Sequence, residues 1–250
     1  MRPRINGEDD LQTFRTAGLS PAFDSSEPTP KTLAEAVYTQ LRQDILSGKL
    51  KPGSKLRFAE ISKNYEAGIS TVRESLSKLT ADRLVTAEGQ RGFRVSPISL
   101  EELWDITKLR AEIESRALEE SIDSGDDAWE AEILFYLHRL LKLDSRNSKT
   151  PLLLTEEGAY IHKLFHMSLL SACPSIWRLR VIDVLYDHSE RYRRLQTSYL
   201  SAMLNSAEEH RDIANAVVSR NKSRATTLLT LHFEKTARLL ANIEELWASP

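Results

Sequence analysis

Helical periodicity extends along most of the chain, and one short β-rich stretch interrupts it. In residues 33–45 apolar side chains recur at every fourth position, and from Ser99 onward the pattern is helical again. Between these regions, "LVTAEGQRGFRV" has β-rich ends that flank two glycines, as in a small β-hairpin. The sequence therefore predicts a mainly α-helical protein with a single hairpin near one end.

Residues 31–97 have the order of elements found in a winged helix-turn-helix. Helical patterns occur in "LAEAVYTQLRQDIL", "RFAEISKNY" and "STVRESLSKLTADRL", and the hairpin follows them. The turn "KPGSKL" separates the first two helices. Residues 1–30 are polar and rich in proline without an apolar period, so they predict a flexible extension.

Residues 98–250 contain six predicted helices joined by short connections. Two of these helices have the sequence of a capping box, Ser99 with Glu102 and Ser206 with Glu209. Short connections place consecutive helices antiparallel to each other. We therefore expect an antiparallel all-α bundle after the winged helix-turn-helix.

Charge is divided unevenly between the two predicted domains. Residues 31–97 carry a net charge of +5 and residues 98–250 a net charge of -5. Such a division indicates a polyanionic partner for the first domain alone. The single cysteine, Cys173, excludes an intramolecular disulfide. There is no apolar run of about 20 residues, so we expect a cytoplasmic protein without a membrane span.

The third predicted helix of residues 31–97 has residues suited to reading DNA. Short polar side chains at its start, Ser70 and Thr71, and an arginine, Arg73, fit the major groove. Arg57 precedes the second helix and Arg91 lies at the hairpin tip, where each could contact phosphate or the minor groove. For these two arginines an ordinary solvated surface charge remains the alternative.

The same segment resembles the winged helix-turn-helix of GntR-family bacterial transcription factors. "ILSGKLKPGSKL" follows the family pattern I-x-x-G-x-L-x-P-G-x-x-L, and Arg73 to Leu79 follows R-E-A-L-x-x-L. Gly92 to Val95 resembles the wing, G-x-x-V. The resemblance implies binding to a double-stranded DNA operator. It also adds Gly92 to the candidate DNA-binding residues. Gly68 and Ile69 stand where many relatives have Ser-Arg, so the operator sequence cannot be taken from those relatives.

Four histidines have positions that would allow them to bind one metal ion. His162 and His166 are four residues apart and share a helix face. His210 and His232 lie on the last two predicted helices, whose short connection could bring the two side chains level. Spacing leaves two readings open, because histidines at such positions can also be ordinary core or surface residues.

Residues 98–250 resemble the FCD effector domain of the FadR-type branch of GntR regulators. That domain carries D-x-x-F-H, E-H and H-L, whose Asp and three His bind a divalent metal, and "HKLFH", "EH" and "HF" stand at those places. His162 occupies the position of the aspartate. The resemblance therefore implies a site of four nitrogens, which suits Zn²⁺ or Ni²⁺ better than Mg²⁺ or Mn²⁺.

Three further residues are candidates for binding a carboxylate effector. Arg110 occupies the place of an arginine found in the first effector-domain helix of many relatives, although it could instead pair with Glu114. Arg191 and Tyr192, in "ERYR", are the other two. "HKLFH" together with "ERYR" resembles regulators of dicarboxylate and amino-acid catabolism, including glutarate-responsive repressors.

These features together predict a metabolite-responsive transcriptional regulator, a repressor that binds a palindromic operator as a homodimer. A small carboxylate on the metal would switch it. There is no HExxH, nucleophile or phosphate-loop motif. Two alternatives are a metal-dependent enzyme fused to a DNA-binding module, and a regulator whose metal is purely structural.

Overall fold

A computed structural model describes residues 32–89, 92–144, 155–195, 206–243 and 247. In these residues the prediction of a mainly helical chain with a small β-hairpin is confirmed. The helices are α1 (Leu33–Leu46), α2 (Phe58–Asn64), α3 (Ile69–Ala81), α4 (Leu100–Ser124), α5 (Asp127–Asp144), α6 (Glu156–Leu170), α7 (Ile176–Arg194), α8 (Ser206–Val218) and α9 (Lys222–Ala241). The strands are β1 (Lys55–Leu56), β2 (Val85–Ala87) and β3 (Phe93–Val95).

The described residues form two compact units. The first, here called the winged unit, comprises the described residues within 28–113, 180–206 and 229–250. The second, the helical unit, comprises those within 114–179 and 207–228. The predicted extension 1–30 lies outside the described residues, and the predicted domain limits 31–97 and 98–250 stay predictions.

Helices α1 to α3 surround an apolar core in the winged unit. Thr32 caps α1 in a reciprocal capping box, because Glu35 N–H donates to Thr32 Oγ1 over 3.1 Å and Thr32 N–H donates to Glu35 Oε2 over 3.2 Å. Apolar side chains on the inner faces of these helices are fully excluded from solvent; they include Leu41, Val72, Leu76 and Leu79. Their burial holds α3 in place.

The winged unit also contains a three-stranded antiparallel sheet with the strand order β1-β3-β2, in which β1 precedes α2 and the other two strands follow α3. Leu56 pairs with Phe93, and Val85 pairs with Val95. The sequence predicts the hairpin of β2 and β3, but for "KPGSKL" it predicts only a turn. Its last two residues form β1, because strand pairing with β3 joins residues about 40 positions apart that no local pattern links.

The start of α4 differs from the predicted capping box in one contact. Glu102 N–H donates to Ser99 Oγ over 3.0 Å, as expected. The hydroxyl of Tyr192, on α7, accepts a hydrogen bond from Ser99 N–H over 3.4 Å and donates to the carboxylate of Glu102. Tyr192 is thus inserted between the serine and the glutamate, and it links α7 to the beginning of α4 within the winged unit.

Helices α5 and α6 pack against each other in the helical unit. The indole N–H of Trp129 donates to the carbonyl of Ser168 over 2.9 Å and joins the two helices. Gly125 is required by this packing, since a Cβ there would lie 2.0 Å from an atom of the Trp129 ring. Arg220, after α8, donates to the carbonyl of Ile122 over 2.6 Å.

Two predicted helices extend beyond the described residues. The sequence predicts one helix from residue 176 to 200 and another from residue 222 to 247, whereas α7 ends at Arg194 and α9 at Ala241. Most of the residues after these ends lie outside the described part of the chain. None of the described helices is both long enough and apolar enough to cross a membrane.

Candidate functional site

Helix α6 carries the first two histidines of the candidate metal site. Thr155 caps this helix, with Gly158 N–H donating to its Oγ1 over 3.1 Å. His162 and His166 follow at a spacing of four residues and are both buried. Their Nε2 atoms lie 3.2 Å apart, so the two imidazoles point to one place.

Helix α8 brings a third imidazole to the same place. The ring centroid of His210 lies 5.1 Å from that of His162 and 5.4 Å from that of His166. The ring of Phe165 lies edge-on to His210 at 5.1 Å and forms an apolar wall beside it. His210 is only 1% exposed, so bulk water does not surround this imidazole.

His232, on α9, completes the predicted set of four. One ligand atom from each of His162, His166, His210 and His232 lies within 4.8 Å of the others, and all four residues are buried. Two nitrogens bound at about 2.0–2.1 Å to a tetrahedral metal lie roughly 3.3 Å apart. The 3.2 Å between the first two Nε2 atoms fits that geometry. The four residues therefore fit a divalent metal in spacing, burial and chemistry.

Arg110 lies on α4 among aromatic side chains of the winged unit. Its guanidinium carbon is 4.2 Å from the ring centroid of Phe233 and 5.2 Å from that of Tyr186. Its Nη1 donates to the Ser189 hydroxyl, on α7, over 2.9 Å. Arg110 is buried although it carries a permanent charge, which is unusual for arginine. Its predicted role in effector binding stays a prediction.

Arg191 and Tyr192 contact the residues that connect β3 with α4. Arg191 Nη2 donates to the carbonyl of Ser96 over 2.6 Å, and burial lowers the pKa of its guanidinium. The Tyr192 hydroxyl takes part in the cap of α4, and burial raises its pKa. The structure thus gives both residues contacts that hold the connection, while their predicted role in effector binding stays a prediction.

Two contacts between α7 and the winged helix-turn-helix were not found by sequence reasoning. Arg42, on α1, forms an ion pair with Asp187, and His188 Nε2 lies 3.0 Å from the carbonyl oxygen of Asp82. The partners are 145 and 106 residues apart in the chain. In the sequence, the acid next to a histidine in "YDHSE" is the only local signal of these contacts, and it does not identify the residue that either side chain contacts.

Helix α3 presents the residues predicted to read DNA. Ser70 and Arg73 are exposed and Thr71 is half-buried. The Arg73 guanidinium carbon lies 4.9 Å from the ring centroid of Phe58, on α2, which holds the arginine stem against the domain. The opposite face of α3 is buried in the apolar core.

The remaining DNA-binding candidates lie around α2 and the hairpin. Arg57 is exposed and pairs with Glu60 at 3.0 Å, so its charge is partly compensated. Gly92 begins the return of the hairpin with φ = 101°, a conformation that favours glycine. Arg91 lies outside the described residues.

Comparison with known families identifies two matching regions. Residues 33–95 match "Bacterial regulatory proteins, gntR family", and residues 105–235 match the "FCD domain". The first region contains α1 to α3 and the sheet. The second contains all four histidines of the candidate metal site.

Curated relatives match over nearly their whole length. The chain is 37% identical to the HTH-type transcriptional regulator BphR of Paraburkholderia xenovorans LB400 over 225 residues, covering 88% of this chain and 92% of that protein. It is 34% identical to the HTH-type transcriptional repressor GlaR of Escherichia coli K12 over 199 residues, covering 78% of this chain and 90% of the repressor.

A solved structure supports the fold. E. coli McbR/YncC superposes with a TM-score of 0.69 at 18% sequence identity, covering 84% of this chain and 97% of that chain. At this identity the likeness concerns the fold alone. The family matches and the curated relatives show that the chain belongs to the GntR family of bacterial transcriptional regulators and carries an FCD domain after its winged helix-turn-helix.

Proposed function

We propose that this protein is a metabolite-responsive repressor that binds a palindromic DNA operator as a homodimer and is switched by a small carboxylate. The carboxylate would bind at a divalent metal held by the histidine cluster of His162, His166, His210 and His232. The observation that carries the proposal is the convergence of these four buried imidazoles in the region that matches the FCD domain.

The choice of metal follows from the donor set. Four neutral imidazoles favour Zn²⁺ or Ni²⁺ over Mg²⁺ or Mn²⁺, which prefer oxygen ligands. Such a metal would retain its full dipositive charge and could accept a carboxylate oxygen as a further ligand. The imidazoles bind as neutral bases, so acid would release the metal.

Arg110 supports a carboxylate as the effector. Its buried guanidinium donates to the Ser189 hydroxyl and lies over the ring of Phe233, which follows His232 in the chain. A guanidinium in such surroundings can bind a carboxylate through two parallel N–H donors. A second cation of this kind favours an effector with a second carboxylate group, and therefore a dicarboxylate.

Helix α3 supports the DNA-binding half of the proposal. Ser70, Thr71 and Arg73 lie at its N-terminal end, where a recognition helix contacts base edges. One such helix reads one half-site. A homodimer with two helices would therefore read a palindrome.

Helix α7 supports communication between ligand and DNA. Ser189 on this helix accepts the hydrogen bond from Arg110. The adjacent Asp187 and His188 contact α1 and the end of α3, and Arg191 contacts Ser96. A carboxylate that moved Arg110 would change the position of α7 and so of α3, which is the differential contact that a switch requires.

A thermal-shift screen with operator titration tests the proposal. Protein stripped with EDTA and protein reloaded with Zn²⁺ are each melted with mono- and dicarboxylates of four to six carbons. An effector should raise the midpoint of the zinc-loaded protein alone and weaken its binding to operator DNA. Zinc that stabilises the protein while no carboxylate changes either quantity would indicate a purely structural metal and would refute the switch. Turnover of a carboxylate would instead indicate an enzyme.

A further inference from the structure

The tip of helix α3 has two features that packing within the protein does not require. Ile69, its first residue, is 58% exposed. In the described part of residues 32–97, Leu33, at 56%, is the other large apolar side chain on the exposed surface. Single exposed apolar residues are ordinary on protein surfaces, so the position of Ile69 is what matters.

Gly68, the N-cap of the same helix, is the second feature. Its φ of -65° and ψ of 155° are open to any residue. A Cβ added there would meet only Ser70 Oγ, at 4.0 Å, which is ordinary contact. Neither backbone conformation nor space inside the protein therefore calls for glycine. Glycine is also used where a backbone must come close to a ligand.

Ile69 also shares a helix face with Arg73. The two residues are four positions apart, so their side chains lie about one turn from each other along α3. Arg73 is the residue proposed to reach a base edge, and its stem rests against Phe58. If α3 enters the major groove by its N-terminal end, Ile69 would lie in the groove beside Arg73 or deeper than Arg73.

We infer that Ile69 is a specificity-determining residue that contacts the 5-methyl group of a thymine in each operator half-site. This methyl group is the one apolar feature of base edges in the major groove, and apolar side chains recognise it. The absence of a side chain at Gly68 lets the helix tip approach that base. The inference rests on the proposed operator binding.

The test removes the methyl group from the DNA and the side chain from the protein. An operator is first obtained by selecting duplexes bound by the wild-type protein from a randomised library. Each thymine is then replaced by deoxyuridine, which lacks only the methyl group, and affinity is measured by fluorescence anisotropy at fixed salt. At one symmetry-related thymine pair we expect a loss on the order of fourfold per half-site, as for one buried methyl group.

The protein variants show which side chain detects the methyl group. Ile69→Ala should bind thymine and uracil operators equally at that pair, because the contact is already absent. Leu33→Ala, which truncates the other exposed apolar residue, is the matched control and should keep the full preference for thymine. Both positions are exposed, so thermal midpoints near that of the wild type are expected and should be recorded.

The outcomes separate this inference from the proposed function. A selected operator whose thymine preference is the same in Ile69→Ala and wild type, or that shows no thymine preference, would overturn the role of Ile69 while operator binding stands. Failure of the selection to enrich any sequence would overturn both.

Discussion

The imidazole Nε2 of His188 lies 3.0 Å from the main-chain carbonyl oxygen of Asp82, the C-cap residue that follows α3. A carbonyl can only accept a hydrogen bond, so Nε2 carries the proton. The carboxylate of Asp82 in turn accepts a hydrogen bond from the Tyr38 hydroxyl over 2.6 Å. The C-terminal end of α3 is thus held by α1 on one side and by α7 on the other.

Protonation of His188 should destabilise the protein at mildly acidic pH. Burial, with a further contribution from Arg191, lowers the pKa of His188 below its ordinary 6.5. The unfolded chain therefore takes up the proton first, so the stability present above pH 6.5 is lost as the pH falls toward the lower folded pKa. Chemical denaturation at several pH values in EDTA measures this loss.

The variant His188→Gln provides the comparison. Glutamine keeps an N–H donor for the Asp82 carbonyl but does not titrate. Its free energy of unfolding should fall less steeply than that of wild type below about pH 6.5. All other residues are the same in both proteins, so the difference between the two pH profiles reports on position 188. Identical pH profiles would show that His188 has an ordinary pKa.

The ion pair between Arg42 and Asp187 should couple α1 to α7. The side chains are 26% and 9% exposed, so truncation of the arginine leaves a nearly buried carboxylate. A double-mutant cycle with Arg42→Gln and Asp187→Asn should give a coupling free energy of about 1–3 kcal/mol. The pair Arg57 and Glu60, at 68% and 58% exposure, is the control and should give less than about 0.5 kcal/mol. Equal couplings would contradict this difference.

Substitution of His162 distinguishes a metal ligand from a core histidine. As a ligand, His162→Ala should lower bound zinc and the effector response together, and His162→Asp should restore binding through an oxygen donor. If His162 is instead a core residue, His162→Asp should lower the free energy of unfolding more than His162→Ala, because aspartate buries a charge. The two hypotheses therefore predict opposite rankings of the Ala and Asp variants, and metal analysis and melting curves decide between them. His138→Ala, at an exposed histidine of α5, should leave zinc content unchanged.

Arg73→Ala should abolish specific operator binding and leave the fold intact. The side chain is exposed, and one base contact is worth about 1–3 kcal/mol in each of two half-sites. Gel-shift titration at fixed salt measures the effect. Arg211→Ala, which removes an exposed arginine from α8, controls for loss of charge alone. Unchanged operator affinity in the Arg73 variant would refute the assignment of α3 as the reading helix.

Arg110→Met should separate effector binding from metal binding. Methionine keeps an unbranched stem over Phe233 but removes the charge that would hold a carboxylate. Zinc content should match wild type, while affinity for a dicarboxylate falls by about tenfold or more. The change Arg116→Met at an exposed position of the same helix should alter neither quantity. A normal dicarboxylate response in Arg110→Met would exclude this arginine from the site.

The features that could be predicted from the chain depend on neighbours within one or two helical turns. Apolar periodicity indicated the helices, and the spacing of His162 and His166 indicated that two imidazoles share a face. The short polar residues before Arg73 likewise marked one end of α3. Local backbone geometry determines such features, so they can be predicted from the sequence before any long-range contact is known.

The contacts that join distant residues could not be predicted in this way. The ion pair of Arg42 with Asp187, the insertion of Tyr192 into the cap of α4 and the pairing of β1 with β3 each involve residues between about 40 and 145 positions apart. Their formation depends on how already folded helices and strands pack, and many packings bury the same apolar faces. Arg191 and Tyr192, whose role in effector binding stays a prediction, are a further example, since "ERYR" does not indicate their contacts with Ser96 and Ser99 in the connection between β3 and α4.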